Sequence, residues 1–180
     1  MDAVQHADAV TRRVESLPGG HVVALTRVLP GRPRTVWPVW EEVASGVGPA
    51  LVAEQVEEPT SWRGRWETDG RTTWVAVDLG LDGGQTVLTV QHAVPDDAVW
   101  QETGPAGVGL RWDVVLRELG ERLDPEGDGA EAPAAGVQDG DFLAATTELW
   151  VAAHVQAGAP PEAATRQAAE ASRRGAQSPS

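Results

Sequence analysis

Residues 104–123, GPAGVGLRWDVVLRELGERL, constrain the fold more than any other stretch. A Gly/Pro cluster that no helix interior tolerates gives way to a regular apolar stripe. Trp112, Val115, Leu116, Leu119 and Leu123 fall at i, i+3, i+4, i+7 and i+11, one face of a 3.6-residue period. Asp113 to Arg117 and Glu118 to Arg122 are i,i+4 acid-to-base pairs, and the spacing predicts them on the solvated side. A helix with one broad apolar face must bury it against something. The chain before it supplies β-like runs.

Those runs are close together. His21 to Leu29 is β-branched and apolar and reads as the first strand. Pro30–Pro33 turns the chain, and Arg34 to Ala44 reads as a helix with Val36, Trp37, Trp40 and Val43 on its apolar face. Pro38 fits that helix only in its first turn. Ala50 to Val56 is a strand. Ser61 to Thr68 is the next, with Trp62, Gly64 and Trp66 on one face and Arg63 and Arg65 on the other. Asp69-Gly70 marks a hairpin. Arg71 to Leu79 carries Thr73, Val75, Val77 and Leu79 on one face, Gly80–Gly84 turns, and Gln85 to Val94 is the last strand. Tight turns between successive strands imply an antiparallel sheet, and a long helix following it implies an α+β layer arrangement.

The ends are helical by pattern. Val4, Ala7, Val10, Val14 and Leu17 form an approximate stripe, so residues 1–19 read as an N-terminal helix closed by Pro18-Gly19-Gly20. Residues 20–124 read as the main domain. Residues 125–141 read as an acidic flexible linker rich in Gly, Ala and Pro. Residues 142–175 read as a C-terminal helical extension whose second helix opens at Pro160-Pro161, and residues 176–180 as a disordered tail.

Composition narrows the function classes. The formal net charge of −13 argues against nucleic acid or an anionic membrane as partner. The absence of cysteine removes disulfides, thiolate metal sites and a Cys nucleophile. No leader-like apolar segment and no run of membrane-spanning length is visible, so a cytoplasmic location is expected. The aromatic inventory is eight Trp, one Phe and no Tyr. So many indoles suggest a Trp-walled core or cavity.

Two stretches resemble a known family. RVLPGRPRTVWPVW resembles the opening of the SRPBCC (START-like) superfamily, where a strand leads into a helix with a VWxxW-type pattern. The closing half resembles that superfamily's bacterial AHSA1-like branch, the homologues of the activator of Hsp90 ATPase. The matching positions are Thr86, Leu88, Val90 and His92, then Gly104, Pro105, Gly107, Gly109, Trp112 and Asp113. Trp150, Ala153, His154, Ala157 and Gly158 resemble an extra helical pair found in some actinobacterial members. The resemblance spans roughly residues 10–170. It implies a helix-grip (START/Bet v1-like) fold, an antiparallel sheet wrapped on a long C-terminal helix. A helix and a hairpin of the family pattern are missing after Trp40, so five strands are expected. An exposed sheet edge, or one covered by a second subunit or the C-terminal helices, is expected with them. The cavity is expected to be smaller or more open than is usual in the family.

The family implies binding of a hydrophobic small molecule between sheet and helix. Trp37, Trp40, Trp66, Trp74, His92, Trp112 and Leu116 are the candidate cavity residues. Core packing is an equal reading of the tryptophans. His92 is either a polar group at the cavity mouth or a hydrogen-bonded structural histidine. His6, His21, His92 and His154 have no metal-ligand spacing, so neither a metal nor another cofactor is expected. Glu41-Glu42 and Glu57-Glu58 are adjacent pairs that do not face each other, no GxSxG elbow is present, and GPAGVG lacks the phosphate-loop spacing. No catalytic constellation emerges. The alternatives to ligand binding are a protein-interaction module (co-chaperone-like or homodimeric) and a polyketide-cyclase-like enzyme, the latter by analogy of fold alone.

Overall fold

The computed structural model describes residues 2–46, 51–68, 70–124 and 140–177. The expected linker lies almost wholly outside the described residues, as do the last residues of the expected tail. In chain order the elements are α1 (Ala3–Asp8), β1 (Val10–Leu17), β2 (Gly20–Leu29), α2 (Pro33–Gly46), β3 (Leu51–Glu57), β4 (Ser61–Thr68), β5 (Arg71–Asp82), β6 (Gln85–Pro95), α3 (Ala98–Thr103), α4 (Ala106–Leu123), α5 (Gly140–Gln156) and α6 (Pro161–Gln177). The six strands form one antiparallel sheet in the order β1-β2-β6-β5-β4-β3. This α+β arrangement is close to the helix grip, with six strands where five were expected. No helix among the described residues is long and apolar enough to cross a membrane.

The sixth strand comes from the segment expected to be helical. Only Ala3–Asp8 forms a helix, fixed by an Asp2/Gln5 capping box. Val10 to Leu17 then pairs with β2 from Val10↔Arg27 to Leu17↔Gly20. Val10 and Val14 are four residues apart, a spacing that suits a helical turn and is also two strand repeats. In the strand Val10, Arg12 and Val14 share the inner face, where both valines are buried.

Alternation fixes the two faces of the sheet. Val23, Leu25, Val75, Val77, Leu79, Leu88, Val90 and Val94 point inward and are buried. Trp62 and Trp66 join them from β4. Two helices cover the inner face. From α2 come Val36, Trp37, Trp40 and Val43, and from α4 the predicted stripe of Trp112, Val115, Leu116 and Leu119, all buried. Pro38 is the sixth residue of α2, past the first turn, so the helix forgoes one backbone bond there. The opposite face of the sheet carries Trp74 and Val28, each more than half exposed.

The extension docks beside α4, with α5 also against β1, and Asp113 explains how. It was expected at the solvated face but is buried. Arg12 Nη2 donates to its Oδ1 at 2.6 Å, and Trp150 Nε1 of α5 donates to its Oδ2 at 2.7 Å. A carboxylate buried this deeply needs such partners, since burial alone pushes its pKa up. Gly109, one turn earlier, lets the Trp150 indole lie against the α4 backbone; a Cβ there would overlap the ring. Arg117 pairs instead with Glu121, and the Glu118–Arg122 pair forms as expected.

Candidate functional site

The space between sheet and α4 is filled at one end and open at the other. At the open end lies a cleft of about 250 Å³. Its walls come from four places. β4 and the start of β5 give Trp66, Thr68, Arg71 and Thr73; the end of β6 gives His92 and Val94. Helix α3, the break after it and the start of α4 give Val99, Trp100, Thr103, Gly104, Gly107, Val108 and Arg111. Arg174 reaches in from α6. The lining is mostly apolar, which suits a ligand pocket, and its size is near the lower end for such sites.

The chain turns sharply at Gly104 to make this opening. Gly104 has φ 55° and ψ −155°, a conformation that disfavours a side chain. A Cβ there would also press on Gln167 Oε1 at 3.1 Å and on His154 at 3.2 Å. The break lets α3 run across the sheet end. Asp97 caps α3, its Oδ1 accepting from Trp100 N–H at 3.0 Å. Its Oδ2 accepts from Arg71 Nη2 at 2.6 Å and Nε at 3.0 Å. Burial pushes the Asp97 carboxyl up, but these hydrogen bonds and the Arg71 charge hold it below the usual range. Trp100 is thereby fixed between two imidazoles. His21 stacks on it at 3.9 Å between ring centroids, and His154 of α5 meets it edge-on at 5.7 Å. Gln167 of α6 closes the back, Nε2 donating to Gln101 O at 2.9 Å.

His92 forms the floor. It is 1 % exposed. Trp112 Nε1–H donates to His92 Nδ1 at 3.0 Å, so Nδ1 carries no proton. The proton of the neutral ring therefore sits on Nε2, which lies 2.7 Å from Thr73 Oγ1 and donates to it. The Thr73 hydroxyl points on to Trp66 O at 3.4 Å. Burial, with Arg71 adding to it, lowers the His92 pKa to about 3. Both ring nitrogens are committed, and the lone pair is covered by an indole N–H that does not ionise. The ring holds Trp112 and Thr73 in place and leaves no basic nitrogen facing the cleft.

Three arginines reach the lining in different states. Arg71 is held by Asp97. Arg174 pairs with Glu102 and with Glu170, its Nε donating to Glu170 Oε1 at 2.9 Å. Arg111 is exposed, and its guanidinium lies over the Trp66 ring at 5.3 Å from the centroid.

The structure gathers the expected residues unevenly. Trp66 and His92 line the cleft, and Trp112 stands behind His92, making an edge contact with Trp66 at 5.2 Å. Trp37, Trp40 and Leu116 are buried in the filled end and do not reach the cleft. Trp40 stacks on Trp112 at 6.3 Å from the other side. Trp74 is a correction. Thr73 and Val75 point inward, so alternation sends Trp74 to the outer face, where it is 54 % exposed. Trp100, Arg71, Arg111 and Arg174 were missed. Trp100 sits in a six-residue helix too short to show a period, though Asp97 three residues before it is a readable cap signal. Among the described residues, no three or more His, Asp or Glu side chains are grouped to hold a metal ion.

No family model matches the chain, and no curated protein matches it. Solved structures do. The crystal structure of CalU16 from Micromonospora echinospora is similar with a TM-score of 0.60 and 15% identity, over 84% of this chain and 99% of that one. Its solution NMR structure is similar with a TM-score of 0.60 and 15% identity, over 83% and 97%. EF2215 from Enterococcus faecalis, a conserved protein of unknown function, is similar with a TM-score of 0.52 and 15% identity, over 87% and 96%. At this identity the likeness is one of fold.

Proposed function

We propose that the chain is a START-like binding module that takes one hydrophobic small molecule into the cleft at the N-terminal end of α4. The observation that carries this reading is the unfilled, Trp-walled space beside Trp66 and Trp100, under a helix whose other end is packed solid. The likeness to CalU16 over 84% of this chain supports the fold in which such a cleft is expected. The finer placement in the AHSA1-like branch rests on the sequence pattern from Thr86 to Asp113. The cyclase alternative would need a proton carrier other than His92, whose nitrogens are both engaged.

The test is a titration with a panel of apolar dyes and fatty acids, followed by Trp fluorescence, on the wild type and on Val108→Trp. Val108 lies in the wall on α4, and an indole there would fill the cleft. Saturable quenching in the wild type that disappears in Val108→Trp, with the thermal midpoint retained, supports the site. Saturation that survives the filling substitution places the ligand elsewhere.

A second reading draws on the outer face of the sheet. Trp74 and Val28, 54 % and 53 % exposed, lie on that uncovered face, where a protein contact would bury them.

A further inference from the structure

The polarity of the cleft runs against that of the chain. The sequence holds 27 acidic and 14 basic residues. The cleft lining nevertheless contains three arginines and no Asp or Glu. Placement at random would favour acids about two to one, so the reversal calls for a reason. Two of the three have local employment. Arg71 tethers Asp97 and the start of α3, and Arg174 ties α6 to Glu102. Arg111 has no ion-pair partner among the described residues.

Its position is nonetheless defined. The guanidinium lies over Trp66, the indole that forms one wall of the cleft. Stacking on an aromatic face occupies the flat side of a guanidinium and leaves its N–H edge free to donate. That edge matches a carboxylate or phosphate, which it can grip through two parallel bonds. The apolar surface of Trp66, Trp100, Val94 and Val108 lies within reach of the same rim.

Resting on the binding function proposed above, we propose that the ligand is an amphiphile with one anionic head, carboxylate or phosphate. Arg111 grips the head at the rim while the apolar body lies against Trp66 and Trp100. Arg71 and Arg174, each already balanced by a carboxylate, shape the rim and add donors without adding net charge. The arrangement selects against cationic ligands, which would meet Arg111 directly.

Isothermal titration of the full chain with octanoate, octyl phosphate, octanamide and octylamine tests this, since the four share one tail. The wild type is expected to bind at least one anion roughly tenfold more tightly than octanamide, the effect of one charge-assisted contact, with octylamine weakest. Which anion binds more tightly identifies the head. Arg111→Met keeps an apolar stem over Trp66; it should bring the anions to the affinity of octanamide and leave octanamide unchanged. Arg13→Met, at an exposed arginine on β1 outside the cleft, should change none of the four. Equal binding of anions and octanamide in the wild type, or an equal loss for all ligands in Arg111→Met, overturns the anionic head and leaves the apolar site standing. No saturable binding of any of the four overturns both.

Discussion

The two ends of α4 face the same sheet and end differently. At the C-terminal end, Leu116 and Leu119 meet Trp37, Trp40 and Val36 of α2 over Leu29, Leu79 and Leu88, and every one of these is buried. The Arg122–Glu42 pair at 2.7 Å ties the two helices together on the outside. At the N-terminal end α2 gives way to the extension, with Trp150 of α5 against Gly109 and His154 and Gln167 beside Gly104. The short α3 and the Gly104 break hold the chain away from the sheet, and a cleft remains. Between the ends stands the Trp112–His92 pair, touching Trp40 on one side and Trp66 on the other. The difference teaches that tryptophan content does not mark a cavity. Indoles fill one end and wall the other, and the neighbouring helix decides which.

The largest expected effect breaks the filled end. Trp40→Ala removes a fully buried indole with no room for its neighbours to collapse. It should cost about 3–5 kcal/mol in urea unfolding and leave affinity for an apolar probe unchanged. A small stability loss with weakened binding would mean that the filled end is part of the ligand site.

The next effect probes the wall between the ends through pH. An unfolded histidine titrates near 6.5, whereas folded His92 stays neutral down to about 3. In that window the unfolded chain binds one proton more than the folded chain. Stability from this group is therefore complete above about pH 6.5 and lost as pH falls, by about 1.4 kcal/mol per pH unit. His6, buried beside Arg27 with a pKa lowered to about 4, adds in the same direction. His92→Gln keeps an acceptor for Trp112 and a donor for Thr73 but takes up no proton. Urea unfolding of the two proteins between about pH 6.5 and pH 5 should differ in slope by that one-proton amount. Identical slopes would mean that His92 is open to protonation in the folded state and that its two hydrogen bonds do not hold it neutral.

A smaller effect isolates the hydrogen bond itself. Thr73→Val preserves shape but leaves the His92 Nε2–H buried without an acceptor, at a cost of about 1–3 kcal/mol. If unfolding shows no loss, water reaches that nitrogen and the floor of the cleft is wet.

Local periodicity carried much of this architecture. The α4 stripe, the α2 face and the alternation of Trp62, Gly64 and Trp66 were legible because each is a repeat within one segment. The strand β1 was not, because Val10 and Val14 satisfy both periods and only pairing with β2 decides between them. The cleft was least legible. Its arginines come from β5, α4 and α6, separated by tens of residues, and no local spacing brings Arg71, Arg111 and Arg174 together. The same holds for Asp113. Its i,i+4 partner Arg117 pointed to solvent, but Arg12 and Trp150 from opposite ends of the chain claim it. That long-range contact also gives a physical role to two positions of the family resemblance, Asp113 and Trp150, which lock the extension onto α4.

Trp74 sharpens the contrast from outside, and its expected effect is the smallest. It lies on β5 one residue from Thr73 and Val75, both of which face inward, yet it shares neither end of α4. Its strand neighbours in register are Arg65 and Ala93, on the outer face. A half-exposed indole on an open sheet face gains little from folding, so Trp74→Ser should change stability by no more than about 0.5 kcal/mol. It should leave the binding of apolar probes untouched, because the whole sheet separates it from the cleft. Titration and urea unfolding of this variant beside Trp40→Ala would show two fates for one residue type, filler and surface. Sedimentation of the same variant adds the decisive reading. An unchanged mass means that the outer face is ordinary solvent-facing sheet, whereas a fall from a larger species to a single chain would make Trp74 the centre of a contact between copies.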